Sequence, residues 1–551
     1  MTRPPAPSPP MRWFGWGDDD AATPLSPDVL ALLKAGLGVQ PRDARPVALD
    51  DVRVPASVLP AAARAALVSD VGREHLLDDD RSRVLHTRGK STPDLLRLRS
   101  GEASDAPDAV VLPADEDEVL AVLRTCVTHR VAVVPYGGGT SVVGGLVAQR
   151  DGLAGVIALD LSRLDRLVAV DEVSLTATLE PGLRTPQAEA LLAEHGLQLG
   201  HQPQSYEYAT IGGYAATRSS GQASAGYGRF DELVVGLRLA TPVGSWELGR
   251  APSTAAGPDL RELVLGSEGA FGILTSVTVR VHRLPAARSY EGWRFASFTQ
   301  GCDVLRRLAQ DGPLPTVLRL SDEAETAVGL ARAHDVGAAG TAGGGCLVLV
   351  GHEGTAADVA RNRDRTAEVL SGCGGSPLGP EPGRDWVRGR YAGPYLRDAL
   401  LDVGALAETL ETAAFWSTLP AVYDAVRGAL SEALAGTPPL VLCHVSHVYP
   451  TGASLYFTVV CAQEADPVAQ WRRAKAAACD ALATSGGSIT HHHAVGTDHR
   501  DWLAGEIGEL GVEVLRAVKA RLDPTGVLNP GVLIPGRRPS TTPPRPLDGP
   551  G

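Results

Sequence analysis

The sequence predicts an α+β protein: two α+β domains, with a helical N-terminal segment in front. Three observations carry that prediction. A chain of 551 residues exceeds what one hydrophobic core supports, so at least two domains are required. From residue 107 onward, apolar runs of strand length alternate with runs of helical period. Three glycine clusters then fall in order inside the first of these stretches. The predicted boundaries are a proline-rich leader (1–10), the helical segment (11–104), the first domain (105–285), the second domain (286–485), a C-terminal segment (486–535) and a Pro/Arg-rich tail (536–551). Leader and tail have the composition of disordered chain.

The helical segment opens on Arg12-Trp13-Phe14-Gly15-Trp16-Gly17, an aromatic clump that reads as a docking anchor. Gly89-Lys90-Ser91-Thr92 ends like a phosphate loop but lacks the earlier glycine, and reads as a solvated loop. Asp108–Pro113 predicts a short strand. Glu116–His129 predicts a helix, with Val119, Val122, Leu123, Cys126 and Val127 at helical spacing. Val131–Val134 and Gly155–Leu159 are buried-strand runs. Val173, Leu175, Ala177 and Leu179 alternate with polar residues and predict one half-buried strand. Thr185-Pro186 starts a helix that stops near Gly196. Val277, Val279 and Val281 alternate before Pro285. In the second domain, Cys346–Val350, Val441–Val445 and Ala453–Cys461 predict strands, Pro394–Ala413 predicts a helix, and Gly340–Gly345 reads as a flexible connection. A last helix spans about Asp501 to Leu522.

Composition excludes several function classes. Hydrophobic content of 44% fits a soluble globular protein, and a net charge of −13 argues against a nucleic-acid partner. The seven cysteines are scattered and never spaced C-x-x-C, which disfavours a zinc ribbon or disulfide scaffold and suits a reducing compartment. No stretch spans a bilayer and the N-terminus lacks a signal-peptide core, so cytoplasmic residence is expected.

The chemistry lies in the glycine clusters. Pro135-Tyr136-Gly137-Gly138-Gly139-Thr140-Ser141 follows a strand, and its converging N–H groups make an anion nest. On these seven residues alone, an ordinary turn and a diphosphate cradle fit equally well. The second cluster reads Gln204-Ser205-Tyr206-Glu207-Tyr208-Ala209-Thr210-Ile211-Gly212-Gly213, then Thr217-Arg218-Ser219-Ser220-Gly221 and Tyr227-Gly228. The third is Gly266-Ser267-Glu268-Gly269-Ala270-Phe271-Gly272-Ile273-Leu274. Small and hydroxyl residues let a flat cofactor approach the backbone. No G-x-G-x-x-G supports a dinucleotide site of the Rossmann kind.

These clusters, in this order, resemble the flavin domain of vanillyl-alcohol-oxidase-type enzymes. Within them the chain resembles the alkyldihydroxyacetonephosphate synthase (alkylglycerone-phosphate synthase) family from Arg12 through Leu533. That resemblance extends to Tyr395-Leu396-Arg397-Asp398, Ala453-Ser454-Leu455-Tyr456-Phe457 and Ser488-Ile489-Thr490-His491-His492-His493-Ala494-Val495-Gly496. It implies a two-subdomain FAD-binding domain of the PCMH/vanillyl-alcohol-oxidase type and an α+β cap domain, with 486–535 returning to the flavin site. It implies FAD diphosphate held by Pro135–Ser141. Further FAD contacts would come from Gln204–Thr210, from Thr217, Arg218, Ser219 and Ser220, and from Glu268, Gly269, Ala270, Phe271, Gly272, Ile273 and Leu274. Neither His nor Cys occurs between Val131 and Gln149, so the FAD is expected to be non-covalent.

The implied reaction exchanges the acyl group of acyl-dihydroxyacetone phosphate for a long-chain alcohol, without net redox change. Tyr456 is the implied acid/base. A phenol with a pKa of about 10 needs a cationic neighbour to act as a base, and the histidine run is the expected source. On its strand Tyr456 shares a face with Ser454 and Thr458, opposite Leu455, Phe457 and Val459; a plain half-buried tyrosine fits the same pattern. His491, His492 and His493 are implied beside flavin and substrate. Adjacent histidines in extended chain point alternately, so at most two could share an ion, and no metal is expected. Arg397 matches the family's substrate-binding arginine, and Arg319, inside an apolar strand, needs an anionic partner. Lipid substrates imply peripheral membrane contact, and a homodimer fits the reading. The rivals are an FAD-linked oxidoreductase acting on a 2-hydroxy acid or alcohol, and a flavin- or lipid-binding protein without activity.

Overall fold

The computed structural model describes residues 11–18, 24–40, 44–329 and 344–536; the leader, residues 537–551 of the tail and residues 340–343 of the Gly340–Gly345 connection lie outside them. Among the described residues the first domain holds two main sheets and a two-stranded ribbon that pairs Leu197–Gln198 with His282–Arg283. One orders Leu76–Leu77, Ala109–Val111, Gly155–Asp160 and Val131–Tyr136. Its last three strands are parallel, which demands a crossover, supplied by the helix Glu116–His129. Asp115 caps that helix, and Val119, Val122, Leu123 and Cys126 form its buried stripe. The other sheet is antiparallel, in the order Leu167–Asp171, Thr176–Leu179, Ile273–Arg280, Val234–Thr241, Gly244–Leu248. Each sheet has its own core.

The second domain is built on a seven-stranded antiparallel sheet: Ser376–Gly379, Ala287–Phe295, Cys346–Gly354, Val317–Ser321, Leu440–Val445, Gly452–Ala462, Ala405–Phe415. One face packs Leu455, Phe457 and Val459 against the helices Phe298–Asp311, Leu419–Ala433 and Pro467–Ser485. The other face turns toward the glycine clusters of the first domain. The C-terminal segment returns to the first domain, where the Val133 N–H donates to Val527 O and the Asn529 N–H to Val133 O, each at 2.8 Å. No helix among the described residues is long and apolar enough to cross a membrane.

Three expectations are corrected. The alternation at 173–179 is not one strand: residues 172–175 form a turn, with Val173 96% exposed and Leu175 at φ 53°, between two strands of a hairpin. Pro394–Ala413 is a helix only over Gly393–Asp402; Gly404 then turns the chain at φ 81° into the strand Ala405–Phe415. Gly89–Thr92 is no solvated loop but a buried seam. There the Lys90 ammonium donates to Arg12 O at 2.8 Å, and burial lowers its pKa to about 7.

Candidate active site

The two domains enclose a cavity of about 450 Å³. Its first wall is the glycine clusters, and all seven residues Pro135–Ser141 line it. The strand Val131–Tyr136 delivers the loop, and local geometry demands its glycines. A Cβ on Gly138 would overlap the Tyr208 carbonyl oxygen, and Gly139 holds φ +70°. From the second cluster Gln204, Ser205, Ala209, Thr210, Thr217, Ser219 and Ser220 line the cavity. Four neighbours do not. Tyr206 stacks on Tyr391 at 5.1 Å, and Glu207 accepts from the Tyr395 hydroxyl at 3.1 Å. Tyr208 packs edge-on against Trp16, and Arg218 pairs with Asp231 at 3.1 Å. From the third cluster Glu268, Gly269, Gly272, Ile273 and Leu274 line the wall, whereas Ala270 and Phe271 enter a core with Ile489 and Leu503. Trp16 both anchors the N-terminal segment and lines the cavity.

Glu268 ties this wall to the C-terminal segment. Its carboxylate accepts from the N–H groups of Gly496 (2.8 Å) and Val495 (3.2 Å), and burial pushes its pKa up to about 7. The buried Ser220 Oγ and Gln204 Nε2 have no partner among the described residues. Backbone amides, small side chains and two orphaned polar atoms suit a flat, hydrogen-bonding cofactor with its diphosphate at the glycine turn.

The opposite wall is one face of the seven-stranded sheet. Cross-strand register sets Glu411 opposite Tyr456, Tyr456 opposite His444, and His444 opposite Ser321. Residues in register share a face, so four strands contribute one row of polar chemistry. Tyr456 and Thr458 line the cavity while Leu455, Phe457 and Val459 are fully buried behind them. The Tyr456 hydroxyl donates to Thr409 Oγ1 at 3.1 Å, and burial pushes its pKa up to about 12. The His444 ring stacks on Tyr456 at 4.9 Å, and its Nδ1 meets Glu325 at 2.9 Å. Glu325 also accepts from Arg319 (2.6 Å) and Ser321 (2.8 Å). Burial opposes its charge, but His444 and Arg319 outweigh burial and hold it at about 2.

The histidine run is organised by Glu411, which is 2% exposed. Its carboxylate accepts from the N–H groups of His491 (2.6 Å), His492 (3.2 Å) and His493 (2.9 Å), and from the Thr490 hydroxyl (2.6 Å). Burial opposes this charge as well, yet the carboxyl stays well below the usual carboxylate range, with three N–H groups and the Thr490 hydroxyl donating to it. Burial holds His491, His492 and His493 below the ordinary imidazole range, His493 at about 3. The run is therefore neutral near pH 7 and does not supply the expected cation. His492 and His493 line the cavity. His491 does not: its Nε2 meets the Tyr449 hydroxyl at 2.6 Å and its Nδ1 meets His492 at 3.0 Å. His447 adds a third imidazole, with ring nitrogens of His447, His491 and His492 within 4.8 Å of one another.

Arg397 and Arg319 both line the cavity, and both are ion-paired. Arg397 donates Nε and Nη2 to Asp398 at 3.1 and 3.0 Å, and Nη1 to the Lys90 carbonyl. One end of the cavity is apolar. Val29, Leu33 and Leu37 of the helix Pro27–Leu37 face Leu396 and Leu400, with Leu440, Leu442 and Val460 of the sheet. Sequence reasoning missed this arm, together with Glu325, Glu411, His444 and His447.

Residues 107–248 match the family of FAD binding domains, and residues 284–533 match the C-terminal domain of FAD linked oxidases. An alkyldihydroxyacetonephosphate synthase of Trypanosoma brucei brucei is 34% identical over 84% of this chain and 79% of that protein. One from Dictyostelium discoideum is 30% identical over 95% of this chain and 93% of that protein. A solved alkyldihydroxyacetonephosphate synthase structure superposes with a TM-score of 0.80 at 28% identity, covering 94% of this chain and 98% of that one.

Proposed function

The chain belongs to the alkyldihydroxyacetonephosphate synthase family, and from that membership we propose that it exchanges the acyl group of acyl-dihydroxyacetone phosphate for a long-chain alcohol, with no net redox change. The observation that carries this reading is the joining of three environments in one cavity. A glycine wall suits FAD, a Tyr–His–Glu row faces it, and an apolar arm suits an alkyl chain. A redox flavoenzyme for small hydroxy acids has no use for that arm.

Pro135–Ser141, with Thr210, Ser220 and Gly269, would hold FAD without a covalent bond, and the group would supply an electron-poor ring for the reaction. The protein supplies the proton handling and the positioning. Tyr456 Oη, as its phenolate, takes the proton of the carbon beside the ketone; Thr409 fixes the oxygen, and the Arg397 guanidinium, in place of the neutral histidines, favours the charged form against burial. His492 and His493, neutral and aimed by Glu411, donate to substrate oxygens. Arg319 and Arg397 add positive edges that their carboxylate partners hold in place. The apolar arm takes the acyl chain and then the alcohol, and delivery of both calls for contact with a lipid surface. The test is anaerobic mixing of holoenzyme with acyl-dihydroxyacetone phosphate and hexadecanol. Ether product with the flavin still oxidised supports the exchange. Lasting flavin bleaching by a hydroxy acid, with no ether product, refutes it.

A further inference from the structure

Three arginines line the cavity, and they differ in one respect. Arg319 is paired with Glu325 at 2.6 Å and Arg397 with Asp398 at 3.0 Å. Arg390 has no carboxylate partner among the described residues. Its Nε donates to the neutral Gln222 Oε1 at 2.7 Å, and Gln222 Nε2 donates back to the Arg390 carbonyl at 3.1 Å. Its guanidinium lies 4.4 Å from the Trp386 ring centroid and 5.4 Å from that of Tyr391. The residue is 9% exposed, and its Nη2 is buried without any acceptor.

A guanidinium cannot shed its proton, so burial leaves it charged and in need of a counter-charge. The two aromatic faces and one amide oxygen stabilise it only in part. The missing partner must therefore be an anion that enters the cavity. We propose that Arg390 is the anchor for the phosphomonoester of the substrate, its planar fork held open by Gln222, Trp386 and Tyr391. This rests on the proposed reaction for the identity of the substrate, but not for the presence of an anion site. The FAD diphosphate already has a donor set at Pro135–Ser141. Glu325 pairs with Arg319, and Asp398, which Arg397 shares with Arg12, pairs with Arg397, so each of the other two cavity arginines touches a carboxylate and Arg390 touches none among the described residues. Guanidinium–phosphate pairs are two-pronged and strong, so this one residue would fix which end of the substrate faces away from the apolar arm.

The experiment uses holoenzyme in three forms: wild type, Arg390→Gln and Arg390→Lys. Inorganic phosphate is titrated by calorimetry, and KM is measured for acyl-dihydroxyacetone phosphate and for the alcohol. The expected result for Arg390→Gln is a loss of phosphate affinity on the order of 10- to 100-fold, the range for a charged hydrogen bond. KM for the phosphorylated substrate rises by a similar factor, while the alcohol KM and flavin content stay at wild-type values. Arg390→Lys keeps the charge without the fork and falls between the two. Wild-type phosphate affinity in either variant overturns the assignment. So does loss of flavin with phosphate binding intact, because that gives the guanidinium to the cofactor. Phosphate binding that vanishes in Arg390→Gln, from a wild type that makes no ether, would sink the proposed reaction and leave the anion site standing.

Discussion

Glu411→Gln tests how the histidine run is held. The native carboxylate collects four donors: three consecutive N–H groups and one hydroxyl, at 2.6–3.2 Å. Oε2 serves His491 N, and Oε1 serves Thr490 Oγ1, His492 N and His493 N. A glutamine of the same shape keeps its one carbonyl oxygen for the three donors at Oε1. Its amide NH₂ then confronts the His491 N–H, two donors with no acceptor between them. Charged hydrogen bonds contribute ~1.5–3 kcal/mol and neutral ones ~0.5–1.5, so the three retained bonds weaken by about 1 kcal/mol each. Stranding one buried N–H costs about 1–3 kcal/mol more. The expected destabilisation is ~4–6 kcal/mol, a large share of a domain's ~5–15 kcal/mol. At ~2–4 °C per kcal/mol for a domain of this size, the melting temperature of the holoenzyme falls by roughly 10 °C or more in scanning calorimetry. Exchange activity falls with it, because His492 and His493 lose their aim. A melting temperature within about two degrees of wild type would show that the run does not depend on this carboxylate, and the argument would fail.

Tyr456→Phe should lower turnover by ~10²–10⁴-fold, the usual worth of a positioned acid/base, with FAD content unchanged by absorbance; full activity would remove Tyr456 from the mechanism. Gly138→Ala drives a Cβ into the Tyr208 carbonyl, so purified protein should carry little flavin by its visible-to-ultraviolet absorbance ratio, while a wild-type ratio would mean the loop can shift. Stability should fall on acidification. Burial lowers His201 and His493 to about 3 and His499 to about 4, from 6.5. Below pH 6.5 the unfolded chain takes up protons that the folded chain refuses. Their contribution is thus complete above pH 6.5 and is lost progressively toward pH 4. A melting temperature that stays flat between those values would contradict this.

How far the site was legible from sequence follows from where each constraint lies along the chain. The glycine clusters were legible because close backbone approach dictates residue type on the spot: only glycine fits beneath the Tyr208 carbonyl. The side that Tyr456 faces was legible because a strand alternates, and its neighbours Leu455, Phe457 and Val459 are apolar enough to mark the core. The burial of Lys90 was not. Its partner Arg12 lies 78 residues away, and Thr92 is tied to Glu408, 316 residues away, so nothing near the Gly-Lys-Ser-Thr sequence announces a seam.

The missed strand Ala405–Phe415 and the missed carboxylate are one error. Ala-Leu-Ala-Glu-Thr-Leu-Glu-Thr-Ala-Ala is rich in helix formers, and propensity assigns it to the helix before it. It becomes a strand because it pairs along all eleven residues with Gly452–Ala462, a partner no local window contains. On a helix, Glu408 and Glu411 would be surface charges needing no explanation. On an edge strand they point to opposite faces, Glu411 beside Tyr456 on the cavity side and Glu408 beside Val459 on the other, and both are buried carboxylates that must have partners. Glu408 finds the Thr92 N–H, locking the N-terminal segment to the sheet, and Glu411 finds the histidine run. The strand that sequence could not reveal is thus what fixes both the N-terminal segment over the cavity and the imidazoles within it.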